Sequence, residues 1–328
     1  MTVGNISLAC NLTDRTRAIY EGQVRPTGVD LNFLPYSVEE VFFRMLRYEE
    51  FDAAEMSMSS YMMTVDRENP DLIAIPVFPS RFFRHSCIFV NTNAGIEGPA
   101  DLRGKKVGVP EYQMTSPLWI RGMLQHEYGV SPEEMHWYHG GEEEGGREEK
   151  LSVDLPTDVD LSSIEPDETL SAMLGRGDLD ALLTARTPSS YSTSSVERLW
   201  QDYRSVERDY YKRTGFFPIM HTIVLRGDVY RDNPWLAQEL TKVFTEAKEV
   251  GLDRLRDTSA LQTSLPWQTY ELESTVDLMG DNYWPYGVDA NRSTLEAMTQ
   301  YSYEQGLTNR KLSVEELFAP ETVSEFKV

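Results

Sequence analysis

The chain opens with an alternation that leaves few architectures possible. Asn5 to Cys10 is a short β-type run, and the polar turn after it carries Thr13 and Asp14, either of which can cap a helix beginning near Arg15. Pro26-Thr27-Gly28 turns the chain into a second extended run, Val29 to Leu34. Ser37 with Glu40 makes a capping box for an amphipathic helix through Tyr48. Phe51 to Met56 reads as a third strand, ending in Ser57, Ser59 and Ser60 before Tyr61. Strand, helix and strand in this order predict a parallel sheet in an α/β fold. Ligands of such sheets are expected at the polar turns that leave a strand for a helix.

Further along, Leu72 to Phe78 is an apolar run, followed by Ser80 to Ser86 (SRFFRHS) and a strand from Cys87 to Asn91. Pro99 to Pro110 reads as a turn and short helix followed by a short strand. A helix is predicted from about Ser116 to Tyr128, capped by Thr115 or Ser116, with free amides that suit a carboxylate. Gly140 to Asp167 is acidic, Gly- and Pro-bearing and weakly periodic, hence mainly loop. Glu168 to Leu174 is a predicted helix and Leu179 to Thr184 a strand. Tyr210 to His221 (YYKRTGFFPIMH) is a second polar and aromatic knot, ahead of a strand from His221 to Leu225. Pro234 opens a long helix through about Leu255, and the remainder is helical around the turn Trp284-Pro285-Tyr286-Gly287. At 328 residues the chain is too long for one small core. The strand at Ser86 to Val90 leads into a complete βα set from which His221 to Leu225 returns. This predicts a discontinuous first lobe, residues 1–86 and 222–328, an inserted second lobe, residues 87–221, and a site in a cleft between them.

The formal charge of −22 argues against nucleic acid, whose phosphates need a basic face, and against anionic membrane surfaces. It reads as a solvated acidic shell, inside which an anionic ligand needs a local basic pocket. Cys10 and Cys87 both lie in apolar runs and read as core residues. The N-terminus shows no basic segment followed by an apolar stretch, and no run approaches the ~20 apolar residues of a membrane span. A cytoplasmic location is therefore expected. His136 and His139 stand near Glu142 to Glu144, but nothing completes a ligand set, so no metal is expected.

Ser80 to Ser86 sets two arginines, two phenylalanines and a histidine side by side, a composition suited to a flat, anionic, aromatic ligand. This stretch, with ACNLTDRTRA, FDAAEMSMSSY, VPEYQMTSP, YYKRTGFFPIMHTIV, DNYWPYG and ELFAPET, resembles the 4,5-dihydroxyphthalate decarboxylase family over nearly the whole chain. The resemblance implies a two-lobed type II periplasmic-binding-protein-like fold used by an intracellular enzyme, and a homo-oligomer. It also implies conversion of a small aromatic dicarboxylate, 4,5-dihydroxyphthalate, to protocatechuate and CO2, without an organic cofactor. The reading from another class is a non-catalytic protein that closes on an aromatic carboxylate.

Decarboxylation by ring protonation calls for an acid at the ring carbon, an acceptor at the phenol and cations for the carboxylates. His85 is the first candidate acid and His221 the second, each equally readable as a satisfied buried histidine. Glu111, followed by the Tyr112 ring, gains a raised pKa if buried, or is simply a carboxylate favoured by a helix dipole. Arg81 and Arg84, with Arg15, Arg186 and Arg213 from other loops, are candidate carboxylate clamps, although surface ion pairing fits each as well. An extended Arg81 to His85 would split these residues between two faces, so a bend at Arg84 and His85 is expected. Thr115, Ser57 and Asn11 are candidate hydrogen-bonding groups at loop tips. Phe217, Tyr112 and Trp284 are candidate ring contacts, with caps and core packing as the plainer readings.

Overall fold

The computed structural model describes residues 4–68 and 71–324. In chain order its main elements are β1 (Asn5–Cys10), α1 (Asp14–Tyr20), β2 (Asp30–Pro35), α2 (Val38–Tyr48), β3 (Ala53–Ser57), α3 (Met58–Arg67) and β4 (Leu72–Arg81). Then follow β5 (Ile88–Asn91), β6 (Lys106–Val109), α4 (Thr115–Tyr128), β7 (His136–His139), β8 (Asp160–Ser163), α5 (Leu170–Arg176), β9 (Ala181–Leu183), β10 (Val196–Arg198) and α6 (Tyr203–Thr214). The last are β11 (Ile219–Arg226), α7 (Gly227–Asp232), α8 (Trp235–Arg256), α9 (Gln268–Met279) and α10 (Arg292–Glu304).

Two compact units result. The first runs up to Arg81, resumes from His221 to Leu295 and again from Ser313, and the second comprises Phe82–Met220 and Glu296–Leu312. The segment Glu296–Leu312, expected in the first lobe, is held by the second unit. There Gln305 accepts from Arg121 Nε at 2.8 Å and donates to the Leu118 carbonyl at 3.0 Å.

The first unit is a five-stranded sheet ordered β2-β1-β3-β11-β4. β1 pairs in parallel with both β2 and β3, as strand–helix–strand order requires, and β11 runs antiparallel to β3. Leu8, Ala9 and Cys10 are buried, which fits a central strand covered on both faces. Thr13 is the N-cap of α1, with a capping box to Thr16. The box expected at Ser37 does not form: Ser37 caps α2 without a side-chain bond, and Glu40 pairs with Arg44 instead. Along α8, Leu236, Leu240, Val243, Phe244 and Ala247 are buried. Gly251 admits the close approach of α1, because a Cβ there would lie 2.5 Å from the Asp14 carbonyl oxygen.

The second unit is a six-stranded sheet ordered β10-β5-β9-β6-β7-β8. β6 is parallel to β7 and β9, while β5 is antiparallel to β9 and β10, so this sheet is also mixed. Phe89, Leu170, Leu174, Leu179, Leu182 and Val196 form an apolar cluster on it. Within the stretch read as loop, β8 adds an edge strand to β7. Tyr210 and Arg213, read as part of a polar knot, lie on α6, a helix capped by the Asp202 side chain. Met114 is the N-cap of α4, so neither Thr115 nor Ser116 caps it. Among the described residues, no helix is long and apolar enough to cross a membrane.

Candidate active site

Strand register in the first unit gathers four functional groups along one edge of the sheet's face, where the central strands β1, β3 and β11 meet a helix-leading turn. β1 and β3 are parallel, with β3 running two residues past the end of β1, while antiparallel β11 enters beside β3 with His221 facing Ser57. Side chains on one face of a strand recur every second residue. Glu55 and Ser57 therefore share a face with His221, and the β1–β3 register carried one residue further sets Cys10 beside Glu55.

Glu55 is 2% exposed and is the hub of this edge. Its Oε1 accepts from His221 Nδ1 at 2.6 Å, and its Oε2 accepts the Asn11 backbone N–H at 2.9 Å and the Cys10 thiol at 3.4 Å. Burial opposes ionisation, but these donors, His221 foremost, outweigh it and hold the carboxyl below its usual range. Burial and the neighbouring carboxylate push the Cys10 thiol well up, so it stays a thiol. The His221 and Phe42 rings form a T-shaped pair with centroids 4.9 Å apart, which fixes the plane of the imidazole. Its side chain is 16% exposed, and no described residue bonds Nε2. Ser57 Oγ caps α3 by accepting from Ser60 N–H.

Arg15 lies on α1 beside this edge. Its guanidinium sits 4.1 Å above the Trp284 ring, Nε donates to the Pro79 carbonyl at 3.0 Å, and Nη1 meets Asp14 at 2.5 Å. Among the described residues nothing bonds Nη2, so one edge of the fork is available to an anion. The stack covers one face of Trp284, whose indole N–H donates to the Phe78 carbonyl, so that face is closed to a ligand ring. Arg81 is a brace: it is 4% exposed, and its Nη2 donates to the Pro285 carbonyl and to Asn291, pinning the turn between them.

The second unit holds the other expected residues, mostly in structural surroundings. The chain does bend after Arg81, with a 3-10 turn at His85–Cys87, and the bend separates Arg84 from His85. His85 is fully buried between Trp200 at 5.2 Å and Tyr210 at 5.1 Å, and neither ring nitrogen has a hydrogen-bond partner. Burial, with Arg213 adding to it, takes its pKa down to about 3. A ring that stays neutral and sealed is not a proton donor near pH 7, which corrects the first expectation. Arg84 lies over Phe82 at 4.7 Å, and its hydrogen bonds go to Met220 and Cys87 sulfurs and the Ala185 carbonyl. Sulfur is a weak acceptor for a guanidinium and the carbonyl contact is long at 3.4 Å, so Arg84 keeps capacity for a carboxylate.

Glu111 is buried but ionised. Burial raises its pKa, Lys150 and Arg147 lower it by more, and the net shift is downward. Arg147 Nη2 reaches it at 2.6 Å and Lys150 Nζ also contacts it, so the raised pKa expected on burial is not found. The buried Tyr112 ring lies under the Arg121 guanidinium at 3.7 Å and belongs to the core. Phe217 stacks on Phe83 at 4.8 Å. Arg213 pairs at the surface with Glu127 at 2.5 Å. Arg186 is exposed, and its backbone N–H donates to Thr184. Thr115, 5% exposed, is the first residue of α4. His136 meets Asp160 and His139 meets Ser163, and no metal-ligating group is found among the described residues.

Sequence reasoning missed Glu55, Cys10 and Phe42. The available signal was Glu55 itself, a lone acid in the apolar run Ala53-Ala54-Glu55-Met56, because carboxylates at such positions are buried only with partners.

Comparison with known proteins agrees with this architecture. A family model for the periplasmic substrate-binding protein of a phosphonate ABC transporter matches residues 22–145. A 4,5-dihydroxyphthalate decarboxylase of Comamonas testosteroni is 38% identical over 325 residues, covering 98% of each chain. One of Pseudomonas putida is 40% identical over 214 residues, 65% of this chain and 83% of that one. Among solved structures, the periplasmic aliphatic sulphonate binding protein SsuA from Escherichia coli matches with a TM-score of 0.54 and 13% identity, covering 98% of this chain and 99% of that one. That likeness gives the expected type II binding-protein fold.

Proposed function

Because this chain belongs to the 4,5-dihydroxyphthalate decarboxylase family, we propose that it is a carboxy-lyase that removes one carboxyl group from 4,5-dihydroxyphthalate, or a close relative of it, with His221 as proton donor. Loss of CO2 directly from the ring would leave an electron pair in the ring plane, beyond the reach of the π-system. Protonation first at the carbon bearing the carboxylate, with the proton of the para hydroxyl leaving to solvent, gives a dienone. CO2 then departs, its bonding pair restores the aromatic ring, and the phenolate so formed takes a proton back from solvent. A positioned acid is typically worth ~10²–10⁴ in rate for such a step.

The observation that carries this reading is the setting of His221. Its Nδ1 is held by a buried carboxylate, its plane is set by Phe42, and its Nε2 is unbonded on the accessible side. Arg15, with one edge of its fork open, suits the carboxylate that stays on the ring. The reading also places the enzyme in the cytoplasm as a homo-oligomer, on the strength of the family resemblance. Cell fractionation and light scattering test both.

Purified protein incubated with 4,5-dihydroxyphthalate in D2O is expected to release CO2 and to yield protocatechuate carrying deuterium at the vacated carbon. His221→Ala is expected to lose turnover while still retaining the ligand. Recovery of unchanged 4,5-dihydroxyphthalate from active-site-saturating mixtures, or full turnover by His221→Ala, would overturn the reading.

A further inference from the structure

Resting on the reading of His221 as proton donor, we infer that Glu55 is its positioning residue, fixing the tautomer so that Nε2 alone takes up and delivers the exchangeable proton. Three donors converge on one buried carboxylate: the Asn11 N–H and the Cys10 thiol at Oε2, and His221 Nδ1 at Oε1. An ionised carboxylate only accepts hydrogen bonds. Nδ1 must therefore carry hydrogen whether the ring is charged or neutral, and Nε2 is the nitrogen whose proton comes and goes. Such a partner behind a working histidine sets both the orientation and the tautomer of the ring. The Asn11 amide and the Cys10 thiol keep the carboxylate from turning, because both claim the same oxygen.

The carboxamide of Glu55→Gln tests this. The Asn11 N–H and the Cys10 thiol still demand an acceptor, so the amide oxygen occupies the Oε2 position and the NH2 group faces His221. That donor turns Nδ1 into an acceptor and moves the ring hydrogen of neutral His221 to Nε2. Glu55→Gln is expected to lose ~10²–10⁴-fold in kcat, the range associated with a general acid, with KM for 4,5-dihydroxyphthalate changed by less than about threefold. Nitrogen-15 NMR of the imidazole is expected to show the Nδ1–H tautomer in the native protein and Nε2–H in the variant. A Glu55→Gln enzyme within about tenfold of native kcat, or a native spectrum showing Nε2–H with bare Nδ1, overturns the inference. The spectrum of the native protein decides the matter even if the variant does not fold. If His221→Ala stays active, the donor reading itself fails. If His221→Ala is inactive while Glu55→Gln works, only the role of Glu55 falls.

Discussion

Arg15 and Trp284 form a stacked pair, with the guanidinium carbon 4.1 Å from the ring centroid. Together with the Pro79 carbonyl and Asp14, the stack holds the fork in one orientation before any ligand arrives. Such preorganisation removes side-chain ordering from the cost of binding. A charge-assisted hydrogen bond contributes roughly 1.5–3 kcal/mol. Arg15→Ala should therefore raise KM for the dicarboxylate on the order of 10–100-fold, with kcat much less affected. Arg15→Lys should recover little, since an ammonium has neither the planar fork nor the stacking face. Steady-state kinetics on both variants, with calorimetric binding of an unreactive phthalate, check this. Unchanged affinity in Arg15→Ala would remove Arg15 from the site.

His85 supplies a contrasting case. Both nitrogens lack partners inside an aromatic box, and burial holds the pKa at about 3 against an ordinary 6.5. Between those values the unfolded chain binds a proton at this position that the folded chain refuses. Stability consequently falls as pH drops through that window, by up to about 1.4 kcal/mol per pH unit from this group. His85→Phe keeps the flat ring and removes two buried unsatisfied atoms, whose desolvation costs roughly 1–3 kcal/mol. The variant should be as active as the native enzyme, at least as stable at pH 7, and less sensitive to acid between pH 6 and 4. Denaturant titrations across that range, with turnover at pH 7, provide the check. Loss of turnover in a folded His85→Phe protein would return His85 to the mechanism.

The contrast between His85 and His221 shows what the amino-acid order exposes and what it conceals. The opening alternation fixed β1, α1, β2, α2 and β3 in place, because hydrophobic period and turn residues are local signals. α6 was hidden by the aromatic and basic composition of Tyr210 to Arg213, although Asp202 at its N-cap was a readable start. Arg15, at the helix start after the polar turn that leaves β1, and His221, at one end of an apolar strand, were both legible as candidates. Glu55 was not, because its meaning depends on β3 pairing with a strand that begins more than 160 positions later, His221 lying 166 residues after Glu55. Nor does sequence reveal which wall of a bend a side chain meets. Arg84 and His85 are adjacent in the chain, yet one lies over Phe82 and the other between Trp200 and Tyr210.

Glu149 makes the second unit sensitive to pH in the opposite sense. Burial, partly offset by the Tyr112 backbone N–H and reinforced by Glu111, takes its carboxyl up from 4.5 to about 7. The folded chain then keeps a proton on Glu149 between those values while the unfolded chain releases it, so stability falls as pH rises through that window. Glu149→Gln keeps an acceptor for the Tyr112 N–H and removes the buried charge. The variant should melt higher than the native protein at pH 8, and the gap should close as pH approaches 4.5. Calorimetric melting at several pH values decides it. An advantage that persists unchanged at pH 4.5 would mean that the carboxyl charge is not its source.

Gly122, midway along α4, determines how α10 can lie in the second unit. A Cβ at this position would stand 2.2 Å from Tyr301 Cδ2 and 2.5 Å from its Cγ, far inside contact distance. Tyr301 is also wedged edge-on to Trp119 at 5.6 Å and tilted against His126 at 4.8 Å, so its ring has little room to retreat. In an exposed helix, replacing glycine by alanine gains roughly 0.8–1 kcal/mol through propensity. Here overpacking, typically ~1–3 kcal/mol, works against that gain. Gly122→Ala should therefore destabilise the protein, and the sign of the change separates the two effects. Tyr301→Leu alone should also destabilise, by leaving a cavity beside Trp119. Combined with Gly122→Ala it should cost less than the two single changes added together, because the new methyl fills part of the vacated space. Urea unfolding of the four proteins in this cycle gives the coupling. Strict additivity would show that Tyr301 moves aside freely, and that Gly122 does not set the packing of α10.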